Sequence, residues 1–405
     1  MTSNDWQSEA VRRDARAEAE GQACRACGAD GLWAFYEVER APAQTCVLLD
    51  SQAEAERYPT GDILLAFCET CGFIQNVRFD LDLVDYSKPT EESQAFSRRF
   101  TEFATGLADR LVERNDLVGK SVLEVGCGKG DFLELLVERG IGSALGIDPG
   151  YLPNRDQRDG RDVEYRRAWY GASDTHLTAD LVLTRHLMEH VPNVGEFFGW
   201  LAQSAMNTEG SVVFTEVPDT ARVLAEGAFW DVYHEHCSYF TIGSLARTIR
   251  AAGMTVTELS YGFDDQYLLA EAVPKPGGNS LVVEDTPEEI AGLVAHFGEE
   301  ATARLRRWRT TIEEVQADGG SVAVWGGGSK AVAFLTSVDA EDVTVVDINP
   351  HKQGKWLPGA AVEVQGPETL KFVKPELVIP MNPTYVEEIS RDLAAMDLSP
   401  SVEAL

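Results

Sequence analysis

The sequence predicts an α/β chain in three units, a small cysteine module followed by two doubly wound α/β domains. Three observations carry this. Apolar runs ending in glycine or polar turn residues alternate with segments of helical periodicity, as in parallel sheets covered by helices. The alternation occurs twice, starting at "SVLEVGCGKG" and again at "SVAVWGGGSKAVAFL". Ahead of both, two Cys-x-x-Cys pairs sit in a turn-rich region.

Taken in order, "MTSNDWQSEAVRRDARAEAEGQ" is a polar or helical leader with no apolar h-region, so no secretory signal is expected. "ILLAFC" reads as a short strand of the cysteine module. Phe96, Phe100, Phe103, Leu107 and Leu111 fall at spacings of three and four, which predicts one apolar helix face. "SVLEVGCGKG", "SALGIDPG", "ADLVLTRH" and "GSVVFTEVP" read as buried strands, with helices such as "GDFLELLVERG" between them. "GMTVTELSYG" and "QYLLAEAVP" are expected to close the sheet as antiparallel strands. "PKPGGNS" marks a boundary, followed by a charged helix from about Pro287 to Gln316. The expected units are 1–85, 86–275 and 276–405.

The 405 residues carry a formal net charge of −31. Nucleic-acid binding needs a basic face to displace counterions, and no such face is offered; an anionic membrane is disfavoured for the same reason. No run of 18 apolar residues spans a bilayer. The expected setting is the cytoplasm and the expected partner a small molecule.

Four of the seven cysteines form "CRACG" and "CETCG". Each Cys-x-x-Cys turns two thiolates toward one ion, and two such knuckles complete a tetrahedral zinc site from Cys24, Cys27, Cys68 and Cys71. Gly28 and Gly72 suit the tight turns. With four ligands present, the zinc is structural. The long gap between the pairs predicts an insertion carrying Cys46, which with Cys127 and Cys237 reads as an ordinary small residue.

"LEVGCGKGDF" places Glu124, Gly126, Cys127, Gly128 and Gly130 where a strand turns into a helix. A dinucleotide fingerprint needs G-x-G-x-x-G, but its last position here is Asp131. The pattern acid-x-G-x-G-x-G resembles class I S-adenosylmethionine-dependent methyltransferases. The resemblance implies that the loop holds the methionine part of S-adenosyl-L-methionine, with the acid near its ammonium. Asp148, ending the next strand, is placed for the ribose hydroxyls. Trp169 in "AWY" would cover the adenine, and Arg185 and His186 lie beside the cofactor. "VWGGGSKA" satisfies G-x-G-x-x-A through Gly326, Gly328 and Ala331, with Asp347 following. This second loop reads either as a cofactor-free Rossmann-like unit shaping the substrate cleft or as a nicotinamide site of an oxidoreductase.

"WDVYHEHCSYF" sets Tyr233, His234, Glu235 and His236 side by side. In an extended stretch Tyr233 and Glu235 would share one face, and the two histidines the other, so convergence requires a bend. The double knuckle, "DYSKPTEES", "LEVGCGKG", "TRHLMEHVPN", "YHEHCSYF" and "GGGSKA…VVDINPHKQGKWLPG" together resemble the three-domain sugar C-methyltransferases of deoxysugar and antibiotic biosynthesis. That resemblance implies a class I methyltransferase core flanked by a zinc-binding N-terminal domain and a Rossmann-like C-terminal domain. It implies methylation beside the ketone of a nucleotide-linked keto sugar, with His236 as base, Glu235 orienting it, Tyr233 donating to the oxyanion, and Tyr86 and His190 assisting. An O-, N- or other C-methylation on the same scaffold stays open. Where the family usually carries a His-Gly-Gly-Ser-type segment, this chain has "GFDDQYLLAEA". Asp264 and Asp265 there would repel a nucleotide diphosphate unless offset.

Overall fold

A computed structural model describes residues 9–88, 90–152 and 163–405. The first eight residues of the leader and Pro89 of "DYSKPTEES" lie outside them; Glu9–Glu20 is a helix. The described residues form three sheets.

The first sheet is antiparallel, in the order Trp33–Pro42, Thr60–Phe67, Ile74–Asn76, Ser238–Tyr239. Side chains alternate faces along a strand, and Thr60–Phe67 buries both. Ile63, Leu65 and Phe67 enter a core shared with the C-terminal region, while Leu64 and Ala66 enter one shared with the middle sheet. That explains why "ILLAFC" is continuously apolar. Its last strand, Ser238–Tyr239, comes from the middle of the chain, directly after the histidine-rich stretch.

The second sheet runs Thr255–Gly262, Tyr267–Val273, Val212–Pro218, Leu181–Arg185, Ser121–Val125, Ser143–Ile147, Val163–Arg166. The last five strands are parallel, and Tyr267–Val273 is antiparallel to both neighbours, as expected. The strand order reverses at Ser121–Val125, which opens a crevice at the carboxyl ends of the strands. The helix beside it, Arg98–Arg114, starts later than the apolar spacing predicts. The Ser97 side chain caps it, so Phe96 precedes the helix and is exposed, while Leu107 and Leu111 are buried.

The third sheet is wholly parallel, with Val322–Trp325 central between Val343–Val346 and Leu377–Pro380. The long helix Pro287–Ala317 precedes it. Proline in the first turn and a reciprocal Thr286–Glu289 capping box define its start. Its buried stripe, Ile290, Val294, Phe297, Ala301, Trp308 and Ile312, faces the first sheet as well as the third. Phe297 meets Tyr36 edge-on at 4.8 Å. Cores are therefore shared between neighbouring sheets.

Candidate active site

The four knuckle cysteines come together. Cys24 Sγ lies 3.6 Å from Cys71 Sγ, and Cys27 Sγ 3.7 Å from Cys68 Sγ. Zinc–sulfur bonds of about 2.3 Å in a tetrahedron require sulfurs about 3.8 Å apart, so the set fits a zinc ion. Gly28 and Gly72 are left-handed, with φ of 76° and 74°, the turn that brings each second thiol round.

One cavity of about 1240 Å³ joins the carboxyl ends of Ser121–Val125 and Val322–Trp325. Sites for one small molecule typically occupy about 300–1,000 Å³, so two ligands fit. Both glycine loops and the stretch from Asp231 to Phe240 line it.

In the first loop Gly126, Gly128 and Gly130 all have positive φ. A Cβ on Gly130 would fall 2.5 Å from the Tyr165 ring. Glu124 is 2% exposed, and its Oε2 has no partner. Burial pushes its carboxyl up to about 8, with Arg185 opposing. A buried carboxylate oxygen without a donor, beside a glycine cradle, fits a cationic ammonium. Asp148 accepts from Gly128 N–H at 3.0 Å and Gly150 N–H at 2.7 Å. Each oxygen keeps a lone pair for a hydroxyl. Cys127 is buried in the turn and Trp169 is 62% exposed at the cavity edge, 5.9 Å from the Tyr86 ring.

Arg185 and His186 line the cavity but are already engaged. Arg185 grips Glu216 through Nε at 2.7 Å and a terminal nitrogen at 3.1 Å, and lies over the Phe132 ring. His186 sits between Glu216 and Glu189, at 3.0 and 3.4 Å. Burial opposes its charge, but the two carboxylates outweigh that and raise it to about 9. Glu216 was legible as a lone acid inside the apolar run "VVFTEVP", and was missed.

The histidine-rich stretch is bent at His234 and Glu235, not extended. The bend sets the His236 ring edge-on to Tyr233 at 4.7 Å and to His190 at 4.8 Å. Burial pushes His236 down to about 3, and His190 adds to this. His190 Nδ1 lies 3.2 Å from the Glu235 carbonyl oxygen and 3.1 Å from Tyr86 Oη. A proton on Nδ1 would point at the carbonyl, which only accepts, while a bare Nδ1 would accept from Tyr86. His234 is fully buried, its ring 5.5 Å from Phe79.

Two expected contacts are corrected by this geometry. Glu235 does not reach for the His236 ring: Thr45 holds its carboxylate, donating from N–H at 2.9 Å and from its hydroxyl. The acid grouped with His190 and His236 is Glu189, with donor atoms within 4.8 Å of one another. Tyr233 does not offer its proton to the cavity, because its hydroxyl donates to Asp231 at 3.1 Å. Glu189 and Asp231 lie within "TRHLMEHVPN" and "WDVYHEHCSYF" and Thr45 in no motif, and only folding brings the three to these contacts. The repulsion expected from Asp264 and Asp265 is also removed. Both are exposed outside the cavity, and Asp264 pairs with Arg99 at 2.7 Å. Gln266 alone turns inward, exchanging amide hydrogen bonds with Asn382 at 2.8 and 3.1 Å.

The second loop differs. Asp347 accepts from Gly327 N–H at 2.8 Å and pairs with Lys352 at 3.3 Å. A Cβ on Gly327 would lie 2.9 Å from Val364. A side chain at Gly327 would press on Val364, while Gly326, Gly328 and Asp347 line the same cavity as the first loop.

A family model described as a methyltransferase domain matches residues 95–259, and one described as a C-methyltransferase C-terminal domain matches 288–399. The C-methyltransferase NovU of Streptomyces niveus is 29% identical over 310 residues, 70% of this chain and 71% of that one. A ubiquinone biosynthesis O-methyltransferase of Acinetobacter baumannii is 29% identical over 161 residues, 36% of this chain and 67% of its own. Among solved structures, the 1,6-didemethyltoxoflavin-N1-methyltransferase of Burkholderia thailandensis with bound S-adenosylhomocysteine is 19% identical. It covers 44% of this chain and 82% of that one, with a TM-score of 0.35. The chain carries a methyltransferase domain followed by a C-methyltransferase C-terminal domain.

Proposed function

We propose that the protein methylates a carbon next to a carbonyl, in a nucleotide-linked keto-deoxysugar. The observation that carries this reading is the bend that packs His236 between Tyr233 and His190 on the wall of a two-ligand cavity. S-adenosylmethionine, bound by Glu124, the loop Gly126–Gly130 and Asp148, supplies an electrophilic methyl group. The chain must then turn a carbon into a nucleophile. A C–H beside a ketone gives up its proton only when a base takes it and a donor steadies the enolate oxygen.

Burial keeps His236 neutral at working pH, so a ring nitrogen keeps its lone pair, and the charge it gains as base must be stabilised against that burial. Glu189 stands beside it to stabilise the charged ring. Tyr86, whose hydroxyl lies 3.1 Å from His190 Nδ1 and 3.4 Å from Glu235 O, is the donor to the enolate oxygen. Tyr233, held by Asp231, orients the His236 ring. Trp169 stands at the cofactor's edge, while Arg185 and His186 hold Glu216 beneath it. The cysteine set holds a structural zinc, and the units 1–85, 86–275 and 276–405 meet around the cavity. Among the described residues no helix is long and apolar enough to cross a membrane, and we read the setting as cytoplasmic and the partner as a small molecule.

The test is solvent exchange. Nucleotide-linked 4-keto-deoxysugars in deuterated water with the enzyme and S-adenosylhomocysteine should take up deuterium beside the ketone, and His236→Ala should abolish it. Methyl transfer to an oxygen or nitrogen, without carbon exchange, would replace this reading with the other methylations open to the scaffold. Metal analysis should find about one zinc per chain, lost in Cys68→Ser.

A further inference from the structure

The second glycine loop matches a dinucleotide fingerprint, and the first two side chains of the helix that follows it, Ser329 and Lys330, reach other segments. Lys330 Nζ lies 3.0 Å from Asp231 Oδ2, which Arg222 also meets at 2.8 Å. The other oxygen of Asp231 accepts the Tyr233 hydroxyl. Ser329 Oγ lies 2.7 Å from Thr45 Oγ1. Thr45 has one hydroxyl proton and gives it to Glu235, so Ser329 donates to Thr45.

Two relays therefore leave one loop. Lys330 reaches Tyr233 through Asp231, and Ser329 reaches Glu235 through Thr45. They end on the two residues that bracket the bend: Tyr233 packs on the His236 ring, and the Glu235 carbonyl holds His190 and Tyr86. We propose that the second glycine loop is a positioning element of the active site, fixing the bend through Lys330–Asp231 and Ser329–Thr45. Lys330, Ser329, Asp231 and Thr45 are positioning residues, and the inference rests on reading 233–236 as the reacting centre. A loop of this shape suits the task, because its glycines let a helix start close against another backbone while the following side chains project across the cavity.

The test uses the full chain labelled with [ζ-13C]tyrosine, the Tyr233 signal assigned with Tyr233→Phe. Lys330→Met should displace that signal although Lys330 does not touch Tyr233; Ser329→Ala should leave it in place. Both should lower kcat for the keto sugar, Lys330→Met by about 10²-fold, as misplacements near 1 Å do. KM for S-adenosylmethionine should stay within about twofold, and Lys330→Arg should recover part of the loss. An unmoved Tyr233 signal in Lys330→Met, or wild-type kcat in both variants, overturns the proposal. If the wild type turns over no keto sugar, the substrate reading fails instead, and the tyrosine signal still decides the relay.

Discussion

The two glycine loops are nearly the same device. Each follows the central strand of a parallel sheet, and each binds the acid that ends the next strand through a loop N–H, Gly128 to Asp148 and Gly327 to Asp347. They differ in what fills the space beyond. The first opens on a cavity and leaves a buried Glu124 oxygen without a partner. The second lines the same cavity but packs Gly327 against Val364 and has its acid neutralised by Lys352. A glycine fingerprint specifies a backbone turn, and the side chains packed around it decide whether anything can bind.

The largest effect should come from a Cβ in the loop. Gly130→Ala forces a left-handed residue, costing about 1–2 kcal/mol, and drives the Cβ into Tyr165. S-adenosylhomocysteine affinity by calorimetry should fall more than about tenfold. Gly328→Ala, with φ of −115° and Lys352 Nζ 3.5 Å away, should leave it unchanged; equal losses would erase the contrast. Next, ligand at about 100 times Kd stabilises by about 2.7 kcal/mol. S-adenosylmethionine should therefore raise the melting temperature while NAD(P) at the same concentration does not. A nicotinamide shift would restore the oxidoreductase reading of the second loop.

A smaller effect concerns Glu124. Burial holds its carboxyl near 8, so it is protonated at pH 7. An arriving ammonium favours the ionised form. Binding should release close to one proton, seen as a buffer-dependent enthalpy, and Glu124→Gln should release none. The smallest effect is a stability linkage. His186 is raised to about 9 by Glu189 and Glu216 against the cost of burial. Its contribution is therefore full below about 6.5, the unfolded value, and is lost as pH rises through about 9. The melting-temperature gap between wild type and His186→Gln should shrink from pH 6 to pH 10; a constant gap would show that His186 packs without charge.

Much of this was legible because the signals are local. The knuckles are set by Cys-x-x-Cys spacing, the strands by short apolar runs, and the long helix by its capping box and stripe. The contacts among the candidate catalytic side chains were not. "YHEHC" names Tyr233, Glu235 and His236, but of their partners Thr45, Glu189 and Lys330 come from distant segments, and the spacing of Asp231 beside Tyr233 does not announce the contact. Alternation predicted the need for a bend without showing which acid it would bring to the histidines.

By itself the sequence determined the two Cys-x-x-Cys pairs, two strand–glycine loop–helix patterns and a histidine-rich stretch, since each depends on neighbours along the chain. The tertiary structure alone decided that Ser238–Tyr239 completes the sheet of the cysteine module and that Pro287–Ala317 seals two cores. It also decided that Lys330 and Ser329, after the second glycine loop, meet Asp231 and Thr45. Those outcomes depend on which surfaces bury each other, and burial is a property of the packed chain.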